Sequence, residues 1–158
     1  MYESWLANHL DAQNNGFQHG VPYVRAIDEL ESGRKQTDWV WYVFPQWVGL
    51  GTSSAVQRFG VPSLQAATEY LGQETLRVNY LRATSTTRSH LDRGVALTRI
   101  LGSLDSRKFV SSLTLMEQAI DQQDNSDDLF EQIQGVLQIV QDQGFQRCQR
   151  TLDWLESV

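Results

Sequence analysis

Chemistry is densest in the run Gly33-Arg-Lys-Gln-Thr-Asp-Trp-Val-Trp-Tyr-Val-Phe-Pro-Gln-Trp-Val-Gly-Leu-Gly-Thr-Ser. Basic residues enter it, aromatics fill it and glycines leave it. Indole and phenol faces stack on flat rings, ammonium and guanidinium groups attract anions, and a side-chain amide reads polar edges. Lys35 (with Arg34), Trp39, Trp41 and Gln46 are therefore candidate ligand-binding residues. The competing role is structural, because large aromatics more often fill a core than a pocket. The stretch Gly49-Leu-Gly-Thr-Ser-Ser precedes an expected helix at 55–59, and free backbone N–H groups there could hold a phosphate. It lacks the lysine of a nucleotide-binding loop, and no strand–loop–helix unit surrounds it, so it reads as a turn.

A second cluster is Asp105-Ser-Arg-Lys-Phe-Val-Ser-Ser-Leu-Thr-Leu-Met. Helical spacing puts Lys108, Ser111 and Ser112 on one face at i, i+3 and i+4, with Thr114 close behind. Asp105 is expected to cap this helix. The lysine and hydroxyls suit an anion, or, with a desolvated amine, a serine nucleophile. Glu29, Glu31 and Asp38 could supply a carboxylate, but no pair is placed by spacing, so no catalytic set is assigned. His9, His19 and His90 lack paired ligand spacing, and the acids between 121 and 128 lack that of a calcium loop, so no metal is expected. Cys148 is the single cysteine, which rules out an internal disulfide and fits a reducing compartment. No cofactor is implied.

The chain has 158 residues, 41 % of them apolar, and a formal charge of -6. That length supports one domain over 1–158 with a real core. An acidic surface repels phosphate backbones, which argues against general nucleic-acid binding. The longest apolar run, Val40 to Pro45 with its flanking tryptophans, is too short to span a bilayer, and the start lacks a basic segment followed by an apolar one. The expectation is a cytoplasmic protein that does not enter membranes.

Spacing near 3.6 residues dominates, predicting an all-α or nearly all-α fold. Trp5, Leu6 and Leu10 predict a helix over roughly 3–13. Pro22 opens another with Tyr23, Ile27 and Leu30 on one face, stopped by Gly33. Ser63 caps a helix carrying Leu64, Ala67 and Leu71, ended by Gly72. Leu76 and Tyr80 begin a helix whose continuation, Ala-Thr-Ser-Thr-Thr, has poor propensity. Phe109, Leu113, Met116 and Ile120 give a strong helix, Leu129, Ile133, Val136 and Val140 the next, and Leu152 and Leu155 the last. Asp121 to Asp128 reads as a solvated acidic loop. Trp39 to Phe44 has strand propensity but no polar face and no partner strand, so a short buried helix or an irregular, extended aromatic segment is expected.

The run Gly33-x-Lys35-x-x-x-Trp39-x-Trp41-x-x-Phe44-Pro45-Gln46-x-x-Gly49-Leu50-Gly51-x-Ser53 resembles a bacterial family of unknown function that carries the automatic label "calpastatin". Ala12-Gln13, Tyr70-Leu71 with Leu76, Asp105-x-x-Lys108-x-x-Ser111-Ser112-x-Thr114-Leu115 and Thr151-Leu152 resemble its further blocks, so the likeness spans nearly the whole chain. The resemblance implies a mainly helical domain of this length without an established activity. The label implies a protease inhibitor, yet inhibitory calpastatin segments are disordered and this chain is patterned to pack. Two departures stand out. The family usually has Ser-His before the first tryptophan, where this chain has Thr37-Asp38, and Asn14 to Gly20 is longer than the family loop.

Folding needs the aromatics but has less need of the particular lysines, glutamine and hydroxyls. The expectation is that both signatures meet around one pocket formed by Lys35, Trp39, Trp41, Gln46, Lys108, Ser111, Ser112 and Thr114. Such a pocket suits a small anionic aromatic ligand such as a nucleotide or an ADP-ribose-like molecule. The alternatives are a helical protein-interaction module with exposed aromatics, and a hydrolase using Lys108 and a serine.

Overall fold

The computed structural model describes residues 1–121 and 128–158. Elements run in the order α1 (Glu3–Asn15), α2 (Tyr23–Glu31), α3 (Val40–Val43), a 3-10 turn (Val48–Leu50), α4 (Ser54–Phe59), α5 (Leu64–Gly72), α6 (Glu74–Asp92), α7 (Leu97–Leu101), α8 (Ser103–Asp121), α9 (Asp128–Asp142) and α10 (Gln149–Ser157). The expected all-α architecture is found. Among the described residues the nearest approach to a sheet is a single parallel bridge between Trp47 and Val61. The expected acidic loop lies mostly at 122–127, outside the described residues.

Local chemistry explains most boundaries. Ser63 Oγ accepts the Ala66 N–H at 3.0 Å and starts α5 as expected. Pro22 precedes α2 in an extended conformation instead of being its first residue. The weak Ala-Thr-Ser-Thr-Thr stretch stays helical within α6. Its hydroxyls turn back onto their own helix, Ser85 to the Leu81 carbonyl and Thr87 to that of Ala83, both at 2.8 Å. Ala83, Thr84 and Thr87 are buried, so packing outweighs propensity. The helix expected to be capped by Asp105 begins two residues earlier, at Ser103. Asp105 therefore sits in the first turn, where a carboxylate is favoured by the helix dipole and its oxygens remain free for partners outside the helix.

The aromatic segment resolves as one turn of helix. All four residues of α3 are buried, as are Trp39 and Phe44 at its ends, so its all-round apolar character reflects burial on every side. Phe44 meets Phe109 of α8 and Tyr80 of α6 edge-on, at centroid distances of 4.7 and 5.6 Å. Around this point α8 packs on α5, α7, α9 and α10, and α6 packs on α2, α5 and α9. α10 also reaches the loop after α3: Trp154 stacks on Trp47 at 4.9 Å, and Arg150 donates to the Gly49 carbonyl at 3.0 Å. Among the described residues no helix is long and apolar enough to cross a membrane.

Candidate functional site

Glu29 organises the α2–α3 loop. Its buried carboxylate accepts the N–H groups of Gln36 and Thr37, the Thr37 hydroxyl and the Trp39 indole N–H, at 2.6–3.0 Å. Burial pushes its pKa up, but these four donors outweigh burial and hold it below the usual carboxylate value. The loop is also tied to α7, because the Lys35 N–H donates to the Ile100 carbonyl at 2.7 Å. The two attachments aim the Lys35 side chain inward. Its ammonium lies 2.8 Å from Asp105 Oδ2, donates to the Thr37 carbonyl and sits over the Trp39 ring.

A cleft of about 260 Å³ opens at this place. Trp39 and Trp41 form its aromatic wall, Lys35 and Asp38 come from the α2–α3 loop, and Asp105 and Lys108 from the first turns of α8. Phe17, Gln18, His19 and Gly20 form the opposite rim, and Ser53 and Ala55 close one end. The Tyr42 hydroxyl donates to the carbonyls of Val21 and Asp38, at 2.7 and 3.1 Å, and pins the rim to the wall. Gly20 is required there, since a Cβ would strike the Tyr42 hydroxyl and lie 2.8 Å from the Asp38 carbonyl. Gln18 has φ 54° and is the one non-glycine residue with positive φ among those described. That backbone is costly for a side chain and is found preferentially at binding and catalytic sites.

The charges are balanced but not equivalent. Asp105 bridges two lysines, Lys35 at 2.8 Å and Lys108 at 3.4 Å. Lys35 is buried and spends its donors on Asp105 and Thr37. The Lys108 side chain is 38 % exposed and only loosely paired, so its ammonium keeps donors for an incoming group. Asp38, where the resembled family has histidine, is exposed and its carboxylate has no partner among the described residues. The cleft therefore offers an aromatic face, one available cation and one available hydrogen-bond acceptor.

Four of the eight sequence-nominated residues meet here: Lys35, Trp39, Trp41 and Lys108. The other four do not line this cleft, which corrects the expectation of one pocket for all eight. Gln46 is buried, with its carbonyl accepting from the Val61 N–H at 2.7 Å. Ser112 lies in the core against the Tyr80 hydroxyl at 2.9 Å. Thr114 donates to the Val110 carbonyl and accepts from the Cys148 N–H, seating the start of α10 on α8. Ser111 donates to the Arg107 carbonyl and lines a separate hollow with Cys148. Spacing put these groups on a helix face, but α8 is covered on nearly every face, and that face is core. Lys108 pairs with Asp105 of its own helix, while Glu117 is held bidentately by Arg147 at 2.8 Å.

Sequence reasoning missed the rim from Phe17 to Gly20. The one signal was the longer Asn14–Gly20 stretch. Asp105 was read as a cap and not as the acid between two lysines. Of the three carboxylates considered for chemistry, only Asp38 lines the cleft: Glu29 holds the loop, and Glu31 pairs with Arg82 at 2.8 Å.

Comparison with known proteins agrees with this architecture. A crystal structure of the conserved hypothetical protein Rv1873 from Mycobacterium tuberculosis is similar to the chain with a TM-score of 0.79 and 28 % identity, over 97 % of each chain. No curated protein matches. Residues 3–144 match the family model described as protein of unknown function DUF1810. With nine-tenths of its length inside that match, the chain belongs to the DUF1810 family.

Proposed function

We propose that the cleft binds a small anionic aromatic ligand of the nucleotide class. The observation that carries this reading is the convergence of Lys35, Trp39 and Trp41 with Lys108, from two distant sequence blocks, on one concave site. A ring against Trp41, an anionic group at Lys108 and a hydroxyl or amino group donating to Asp38 would use each feature of the lining once. At about 260 Å³ the cleft lies just under the usual range for small-molecule pockets, about 300–1,000 Å³. A nucleoside monophosphate therefore suits it better than an ADP-ribose-like molecule with two sugars.

The interaction-module alternative needs exposed aromatics. The large exposed apolar residues among those described are Met1, Val24, Val78, Leu104 and Val158, none of them aromatic. The hydrolase alternative needs a lysine next to a free serine, whereas Ser111 is bonded to the Arg107 carbonyl and Ser112 to Tyr80. The inhibitor role implied by the calpastatin label has no part in this reading, because a packed helical domain is unlike a disordered inhibitory segment.

The test is a thermal-shift screen of nucleosides, nucleotides and their derivatives. A ligand that binds only the native state raises the melting temperature. At least one anionic nucleotide is expected to do so, and the corresponding nucleoside to do so less. Equal shifts for nucleoside and nucleotide would remove the role of Lys108, and a flat response across the set would remove the ligand class.

A further inference from the structure

Adjoining the cleft at Lys35, which lines both, is a second recess of about 670 Å³. Its walls are the turn at Ser32, Gly33, Arg34 and Lys35, and α7 with its exit, Thr98 to Gly102. Gly33 and Gly102 take left-handed conformations, φ 85° and 81°, which turn the chain sharply on both sides. The bond from the Lys35 N–H to the Ile100 carbonyl fixes the spacing between the walls.

The lining carries positive charge and no carboxylate: Arg34, Lys35 and Arg99 are its only ionic residues. This is unusual for a chain of net charge -6. Of its thirteen lysines and arginines, all but three make an ion pair, a hydrogen bond, a ring contact or another interaction through their side chains. The three without a partner among the described residues are Arg34, Arg99 and Arg107, and two of them line this recess. Two unpaired guanidiniums beside a common floor repel each other unless an anion lies between them. Planar guanidiniums with several fixed donors match the tetrahedral oxygens of phosphate better than a lone carboxylate does. The Thr98 hydroxyl adds a short-range donor.

We infer that this recess is a binding site for a phosphate-class oxyanion, held by Arg34 and Arg99. It shares Lys35 with the aromatic cleft, but neither site requires the other to be occupied. The side chains are solvent-exposed, so their replacement does not disturb the core.

The test titrates inorganic pyrophosphate against the full chain and reads both melting temperature and calorimetric affinity. The wild type is expected to be stabilised progressively. Arg34→Gln and Arg99→Gln should each weaken binding about tenfold or more, the loss expected for a charged hydrogen bond. Arg107→Gln, which removes the unpartnered arginine outside the recess, should retain full binding. Lys108→Gln should also retain pyrophosphate binding while losing the nucleotide response of the cleft, so either site can fail without the other. No stabilisation of the wild type, or an equal loss in Arg107→Gln, would overturn the assignment. An acidic peptide of matched charge that binds as well as pyrophosphate would also overturn it, since bulk charge would then suffice. So would sedimentation with phosphatidate vesicles that free pyrophosphate does not compete.

Discussion

The indole N–H of Trp39 donates to Glu29 Oε1 at 3.0 Å, joining the end of α2 to the start of α3 through one buried carboxylate. The same group carries the N–H groups of Gln36 and Thr37. Glu29→Ala leaves these donors without acceptors, so a loss of about 3 kcal/mol is expected in denaturant unfolding. Glu29→Gln should cost less, because an amide oxygen still accepts. The pKa of Glu29 is lowered in the fold, so its contribution is complete above the usual carboxylate value and declines as pH falls through the folded value. Acid titrations of stability should show this component in the wild type and lack it in Glu29→Gln.

Trp39 is 1 % exposed and Trp41 9 % exposed. Trp39→Ala is expected to destabilise by about 3–5 kcal/mol, as for other buried aromatics. Trp41→Ala should fall at the lower end of that range and also abolish the nucleotide-induced shift. Urea melts of the two variants provide the check, and wild-type midpoints for both would show that neither side chain is structural.

His9 is fully buried among Trp5, Phe59 and Tyr70, and Nε2–H donates to the Phe59 carbonyl at 3.1 Å. Burial pushes its pKa down to about 3. The unfolded chain takes up a proton on His9 below about pH 6.5, and the folded chain does not until about pH 3. Stability should therefore be intact above pH 6.5 and fall between those limits by up to about 1.4 kcal/mol per pH unit. His9→Gln should flatten that slope by one proton, read from guanidinium midpoints at pH 7, 6, 5 and 4. An unchanged slope would place the acid sensitivity elsewhere.

Lys35 and Lys108 share Asp105 but should answer differently to substitution. Lys35 is buried and bonded to the loop that it anchors. Lys35→Gln leaves Asp105 only its longer contact with Lys108 and removes the loop's anchor, and is expected to cost about 2–3 kcal/mol. Lys108 is an exposed partner at 3.4 Å, and Lys108→Gln should change stability by no more than about 1 kcal/mol. Its effect belongs in nucleotide binding, so differential scanning calorimetry with and without ligand separates the two.

Much of the fold was legible because amphipathic periodicity and capping residues act locally. Ser63, Gly72 and the Leu129–Val140 stripe marked their helices without reference to the rest of the chain. The start of α6 at Leu76 and Tyr80 was legible, but the length of its Thr and Ser continuation was not, because that run is stabilised by burial, which no window of sequence contains. The site was half legible for a similar reason. Lys35, Trp39 and Trp41 stand close in sequence, and Lys108 stood out as a cation at helical spacing from hydroxyls. Ser111, Ser112 and Thr114 looked like recognition chemistry because hydroxyls add little to helix propensity. Their partners, Arg107, Tyr80 and Cys148, explain them only once α8 is seen at the centre of the packing. The rim at Phe17–Gly20 depends on a contact with Tyr42 that spans 21 positions and left no periodic trace.

The clamp of α10 on the loop after α3 has a consequence for synthesis. Arg150 and Gly49 are 101 positions apart, and Trp154 must find Trp47 across a still longer separation. Everything that lines the cleft, from Phe17 to Lys108, leaves the ribosome before α10 does. At ordinary elongation rates of about 5–20 residues per second the nascent chain spends seconds with its aromatic loop unsecured. The lining is thus synthesised well before it is locked, and the arrival of α10 determines when Gly49 and Trp47 gain these contacts.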